Sequence, residues 1–266
     1  MPPSPRVAFR NARIVTPDAV VAGGLTAADG LINEIGPVAD DAIDCGGDYL
    51  LPGFVELHTD NVERCLAPRE TASWPAFDAV LAHDAQLAAA GVTTALNALM
   101  VGALWTAPRR PEALAPVMAA MDAAVAVDAL KIEHRLHIRV ETSAPDAVDA
   151  LSEWADRPDL AMLSVMDHSP GQRQFRDLDR MAGFLAAEHG VAADAIEAWA
   201  AAARTKAAEI APEARQASAA VSARRAAPLA SHDDESRAQI EDAHALGATI
   251  AEFPTTLEAA EAARAA

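Results

Sequence analysis

The 266-residue sequence holds only two cysteines, Cys45 and Cys65, too few for a disulfide framework, and a reducing cytosol is the simpler setting for them. Positive charge is also scarce. Lysine and arginine total 21 against 39 acidic residues, a formal net charge of −18, whereas nucleic acids and anionic lipids are bound through basic fields. Neither is expected as a partner. Long apolar runs are missing too: Glu112–Leu130 is Ala-rich, but Glu112, Pro116, Asp122 and Asp128 interrupt it too often for a membrane span. Met1–Arg10 lacks the charged start and apolar core of a secretory signal, so a cytoplasmic protein is expected. No Walker-type glycine loop occurs, which leaves phosphate recognition to arginines or helix N-termini.

What is present is apolar bulk, 52% of the residues, enough for a large core. Residues 6–49 alternate short β-prone runs (Val7–Phe9, Arg13–Val15, Leu31–Ile35) with turn signals at Thr16-Pro17-Asp18, Gly23-Gly24 and Asp29-Gly30. They read as small hairpins, the N-terminal part of a β-sandwich subdomain over 1–50. From Leu50 the pattern changes to apolar runs alternating with helical stretches, the signature of βαβ units on a parallel sheet. The predicted strands are Gly53–His58, Val92–Leu99, Arg135–Glu141, Ala161–His168, Pro228–His232 and Thr249–Phe253. Helices are predicted over Ala76–Ala90, Pro111–Leu130, Pro145–Ala155, Ser236–Leu246 and Thr256–Ala265. Phe175–Ala226 exceeds a simple connection and reads as two or more inserted helices. The expected fold class is α/β: a (β/α)8 TIM barrel over 51–266, cut short after about six βα units. An open six-stranded sheet is the alternative.

Chemistry gathers where these strands end. Side chains alternate along a strand, so Glu56, His58 and Asp60 share one face while Val55 and Leu57 take the other. His137, Arg139 and Glu141 likewise share a face, with Glu141 at the C-terminal end, where barrel enzymes place their functional groups. His137 lies deeper and reads first as a core histidine satisfied by a hydrogen bond. Two further apolar runs stop at histidines flanked by acids, Asp167-His168 and His232-Asp233-Asp234. Such strand ends suit a catalytic metal. Arg69, Arg139 and Arg173, on or just beyond strand ends, are the candidates for phosphate contact, Arg173 first. His83, His189 and His244 fall among polar neighbours in predicted helices and read as solvated.

The run Leu51-Pro52-Gly53-Phe54-Val55-Glu56-Leu57-His58 resembles the entry strand of the amidohydrolase superfamily, where a small β-sandwich feeds a barrel. Further motifs, Glu56-Leu57-His58-Thr59-Asp60-Asn61, Ala82-His83-Asp84-Ala85-Gln86, Met166-Asp167-His168-Ser169-Pro170-Gly171-Gln172-Arg173, Ala230-Ser231-His232-Asp233-Asp234 and Ala251-Glu252-Phe253-Pro254-Thr255-Thr256, resemble those of the α-D-ribose 1-methylphosphonate 5-triphosphate diphosphatases of carbon–phosphorus lyase pathways. The resemblance implies a small phosphorylated ribose substrate, diphosphate release, and one or two divalent ions (Zn, Mn or Fe). It implies His58, Asp60, Glu141, His168 and His232 as metal ligands, with Asp60 and Glu141 the candidate catalytic carboxylates. The usual first-strand pattern of the superfamily is His-x-His; Asp60 in its second place is a departure that matches the diphosphatase group. The acid usually supplied by the last barrel strand has no counterpart before Ala266.

Two other readings stay open at this level. One keeps the barrel and metal but hydrolyses amides or cyclic imides. The other is an inactive remnant, whose open strand edges would invite pairing with another chain. Homo-oligomerisation is compatible with all three.

Overall fold

The computed structural model describes residues 6–69, 72–102, 109–179, 192 and 195–266. It divides into two units, Met1–Phe54 and Val55–Ala266. In the first, strands β1 (Val7–Val15), β2 (Val20–Ala28), β3 (Leu31–Gly36) and β4 (Ile43–Asp44) form one sheet in the order β3-β2-β1-β4, and β5 (Tyr49–Leu50) also pairs with β1. The two runs expected as separate strands are one: β1 passes through Asn11, at φ 53°, with a register shift between Phe9 and Ala12. Asp29 and Gly30 both take positive φ, the requirement of a type I′ hairpin turn. The buried cluster here is small, Ala12, Ile14 and Leu25.

The second unit carries a six-stranded sheet of β6 (Phe54–Thr59), β7 (Val92–Val101), β8 (Glu133–Glu141), β9 (Leu160–Met166), β10 (Leu229–His232) and β11 (Ile250–Glu252). Their spatial order is their chain order, and the pairs from β7 to β11 are parallel. A doubly wound sheet reverses its order once, which puts helices on both faces. This sheet does not reverse. With right-handed crossovers, an order without reversal sends every helix to the same face, as in a barrel.

Packing agrees. Leu99 and Val101 of β7, Leu136, Ile138 and Val140 of β8, Leu163 and Val165 of β9 and Leu229 of β10 share one core. Against them lie Val80 of α2 (Ala76–Ala89), Leu114, Val117 and Met118 of α3 (Arg109–Ala126), Leu151 of α4 (Ala147–Trp154), Ala214 of α5 (Ile196–Arg225) and Ala243 of α6 (Arg237–Leu246). The alternate side chains point to the other face, where Leu96, Met162 and Ala230 form a separate apolar layer with Ile250 beside it. The architecture is thus that of a (β/α) barrel represented by six strands, with a separate N-terminal sheet.

Local signals explain the boundaries. Gly91 and Gly247 take φ 82° and 104° just after α2 and α6, as helix-ending glycines do. Ser236 and Thr256 each accept a backbone N–H of the next turn, from Gln239 and Ala259, and so start α6 and α7 (Leu257–Ala265). Gly102, at φ 81°, ends β7 so close to β8 that a Cβ would sit 2.8 Å from Ala144 Cβ and 3.1 Å from Glu141 O. One element was not among those expected. A short helix, α1 (Asn61–Leu66), follows β6 directly. Within Phe175–Ala226, where residues 180–191 and 193–194 lie outside the described residues and His189 with them, α5 is a 30-residue helix that buries Ala200, Ala203, Ala207, Ala214 and Ser218 as a helical stripe. Among the described residues no helix is long and apolar enough to cross a membrane.

Candidate metal centre

The C-terminal ends of the sheet strands gather a buried polar cluster. From β6 comes His58, whose Nδ1 lies 2.9 Å from Glu252 Oε1. Glu252 ends β11, and its other oxygen lies 3.2 Å from Nδ1 of His232 at the end of β10. One carboxylate therefore bridges two imidazoles, whose rings stack with centroids 5.3 Å apart. His168, two residues beyond β9, places its ring edge-on to His232 at 5.7 Å. Its Nδ1 is 2.8 Å from Glu141 Oε2. Phe253 stands edge-on to both His58 and His232 and so walls one side.

Glu141 is held rigidly by its own turn. Its Oε1 accepts Ser143 Oγ–H and the His168 backbone N–H, the latter at 3.2 Å. Asp233, at φ 55°, sits in the left-handed region that aspartate tolerates better than most residues. Its Oδ2 lies 3.4 Å from His232 Nε2 and 4.0 Å from His168 Nε2.

Burial works against charge here, and hydrogen bonds decide the outcome. Burial raises the Glu252 carboxyl, but the bonds from His232 and His58 outweigh it and hold the group well below the usual carboxylate range. Burial pushes His137 down to about 3, against the raising effect of Glu252, so it is neutral at pH 7. Its tautomer follows. Nδ1 donates to the Leu57 carbonyl at 3.1 Å, leaving Nε2 to accept Ser164 Oγ–H at 2.9 Å. The expectation of a satisfied core histidine fits this geometry.

A metal ion can be tested against this donor set. Glu141 Oε2, His168 Nδ1 and Asp233 Oδ2 are all buried without a hydrogen-bond partner, an expensive condition for polar atoms. Among the described residues, two groups bring their donor atoms within 4.8 Å of one another: His58, His232 and Glu252, and His168, His232 and Asp233. The donors fit a divalent cation.

No family model matches the chain. One curated protein does: α-D-ribose 1-methylphosphonate 5-triphosphate diphosphatase of Escherichia coli (strain K12), 35% identical over 259 residues, 96% of this chain and 68% of that protein. The chain belongs to this diphosphatase family. Among solved structures it is similar to a D-hydantoinase (15% identity, TM-score 0.45, 93% of this chain and 57% of that one). It is also similar to the 5-methylcytosine deaminase of Klebsiella pneumoniae (15% identity, TM-score 0.49, 92% and 58%). The chain thus spans 68% of its curated relative's length and less than two thirds of these solved chains.

In this member of the diphosphatase family the structure brings together His58, Glu141, His168 and His232. Asp60, just past β6, joins them through Arg139, whose Nη1 is 3.6 Å from Asp60 Oδ2 and 3.4 Å from His58 Nε2. Arg173 is engaged elsewhere. Its Nη1 donates to His232 O at 2.7 Å and to Asp234 Oδ1 at 2.6 Å, tying the loop after β9 to the end of β10. Arg69 is exposed after α1, in a short antiparallel bridge with Ala72, and makes none of the contacts that join the cluster.

Two members were missing from the sequence reading, Glu252 and Asp233. Asp233 was legible as an acid at a strand end of the kind that singled out Glu141.

One expectation is overturned. His83 is fully buried, not solvated: its Nε2 is 3.1 Å from Asn97 Oδ1. Asn97 Nδ2 in turn lies 3.1 Å from His134 Nδ1, and His134 Nε2 is 3.3 Å from Asp84 Oδ1. The helix face judged polar from its neighbours is the one that packs on β7 and β8.

Proposed function

We propose that this chain hydrolyses α-D-ribose 1-methylphosphonate 5-triphosphate to ribose 1-methylphosphonate 5-phosphate and diphosphate. The reading rests above all on similarity to a diphosphatase across 96% of its length, in a chain whose buried histidines and acids converge at the strand ends. In the reaction, water adds to the α-phosphorus, the bond to the bridging oxygen breaks, and diphosphate leaves. A bound divalent cation supplies a Lewis acid that offsets charge on the transferring phosphoryl group and makes water nucleophilic near neutral pH. His168, His232 and Asp233 are the residues to hold it, with Glu141 set against the other ring nitrogen of His168 and His58, Asp60 and Glu252 on the adjoining flank.

The protein's own groups divide the remaining tasks. Glu252 orients His58 and His232 through their Nδ1 atoms, as carboxylates commonly do for ligating imidazoles. Asp60 is the most open carboxylate of the cluster, with 39% of its side chain exposed, and is placed to take the proton that the attacking water gives up. Arg139 offers its guanidinium to substrate phosphate. Arg173 acts indirectly, holding the His232 carbonyl and Asp234.

Product analysis tests the reading. The purified chain, supplied with divalent metal and the triphosphate sugar, is expected to release diphosphate and no orthophosphate. Inert triphosphate together with hydrolysis of a hydantoin or N-acyl substrate would replace it with the amide-hydrolase reading.

A further inference from the structure

The cluster is lopsided in how its polar atoms are satisfied. On the His168 side, Glu141 Oε2 and His168 Nδ1 face each other at 2.8 Å and Asp233 Oδ2 lies 3.4 Å from His232 Nε2, yet none of the three buried atoms makes a directed hydrogen bond. On the His58 side both ring nitrogens are taken, Nδ1 by Glu252 at 2.9 Å and Nε2 by Arg139 Nη1 at 3.4 Å. A guanidinium has only donors. Nε2 of His58 therefore turns its lone pair toward Arg139, and Nδ1 carries the proton that goes to Glu252. That lone pair is the one a metal ion would need. Arg139 also reaches Asp60 at 3.6 Å, the residue that completes the first-strand pair.

Arg139 has little room to withdraw. It sits on β8 between Ile138 and Val140, which point to the helix core, and its side chain is only 5% exposed. A second dication at His58 and Asp60 would stand against a buried, permanently charged guanidinium.

We infer that the centre takes a single divalent cation, on the side of His168, His232 and Asp233, and that Arg139 supplies the second positive charge beside His58 and Asp60. The inference rests on the metal-dependent reading above and narrows it. It gives the triphosphate two unlike cationic contacts, one exchangeable and one fixed. Chelation then removes only one of them.

Metal counting tests this without reference to turnover. The full chain is stripped with a chelator, reloaded with manganese or zinc, freed of excess ion and analysed for metal per chain, with a calorimetric titration in parallel. One ion per chain and a single binding step are expected for the unaltered protein. Arg139→Met is expected to admit a second ion, and Arg139→Lys, which keeps the charge, is expected to stay at one. Two ions per unaltered chain would overturn this inference and leave the metal-dependent reading standing. No ion at all would overturn both. A folded Arg139→Met, judged by circular dichroism, that still takes one ion would remove Arg139 from the role. Should that variant not fold, the count on the unaltered chain decides by itself.

Discussion

The two ends of β8 each gather histidine and acid in a buried setting, yet they are built on opposite principles. At the N-terminal end, Asp84 accepts the backbone N–H groups of Lys131 and Ile132 at 2.9 and 3.1 Å and lies 3.3 Å from His134 Nε2. Asn97 then links His134 to His83 and also donates to the Arg135 carbonyl. Apart from His83 Nδ1, no buried side-chain atom of that network lacks a partner. At the C-terminal end, three buried donor atoms of Glu141, His168 and Asp233 lack one. A satisfied polar network fastens a structure; an unsatisfied one is kept for a ligand. The same residue types thus serve as clamp and as site, and hydrogen-bond accounting tells them apart where composition does not.

Substitutions should separate the two ends in kind. The largest effect is expected at His232. His232→Ala should lower diphosphate release by more than the ~100-fold typical of an outer-shell change while leaving the thermal midpoint nearly unmoved. A large fall in the midpoint would mean that the C-terminal cluster is also a clamp. Asp84→Ala should do the reverse. Two backbone N–H groups and His134 lose their acceptor, at a cost of about 4 kcal/mol in denaturant unfolding, with metal content per folded chain unchanged.

Acid should find the clamp as well. Burial chiefly, with His134 adding to it, pushes His83 down to about 4, and burial lowers His134 too. For a group whose folded pKa is depressed, the unfolded chain binds the proton first, so its contribution is intact above about pH 6.5. That contribution is lost as pH falls toward 4, on the order of 3 kcal/mol for His83 alone. Denaturant melts between pH 7 and 4 should show this slope, and His83→Gln should flatten it. A smaller effect is expected from Glu252→Gln, which leaves His58 and His232 less firmly oriented. Metal affinity, read by titration calorimetry, should weaken about 10–100-fold. The least change belongs away from both ends. Arg215→Ala removes a pairing with Asp242, whose side chain is 71% exposed, and should cost under ~1 kcal/mol.

Much of this was legible in the residues. The alternation of β8 placed His137, Arg139 and Glu141 on one face and His134 on the other, because a strand has a period of two whatever surrounds it. Strand ends stopping at His58, His168 and His232 announced the site for the same local reason. Glu252 was harder to see. A three-residue strand, Ile250–Glu252, gives too little alternation to say which face its acid takes. His83 was misread because a helix reveals its buried face only through the pattern of its neighbours, and here an aspartate shares that face.

The sequence by itself determined the order of strands and helices, the faces of the longer strands and four of the strand-end donors, since each of these follows from local periodicity and turn chemistry. Only the tertiary structure decided which groups meet. It set Arg139 against His58 Nε2, Glu252 between two imidazoles and Asp84 under the start of β8, contacts between residues 20 to 194 positions apart that chain folding, not local sequence, brings within reach. It also left Glu141 Oε2, His168 Nδ1 and Asp233 Oδ2 buried on one flank without a hydrogen bond, and that flank is where the cation is expected to bind.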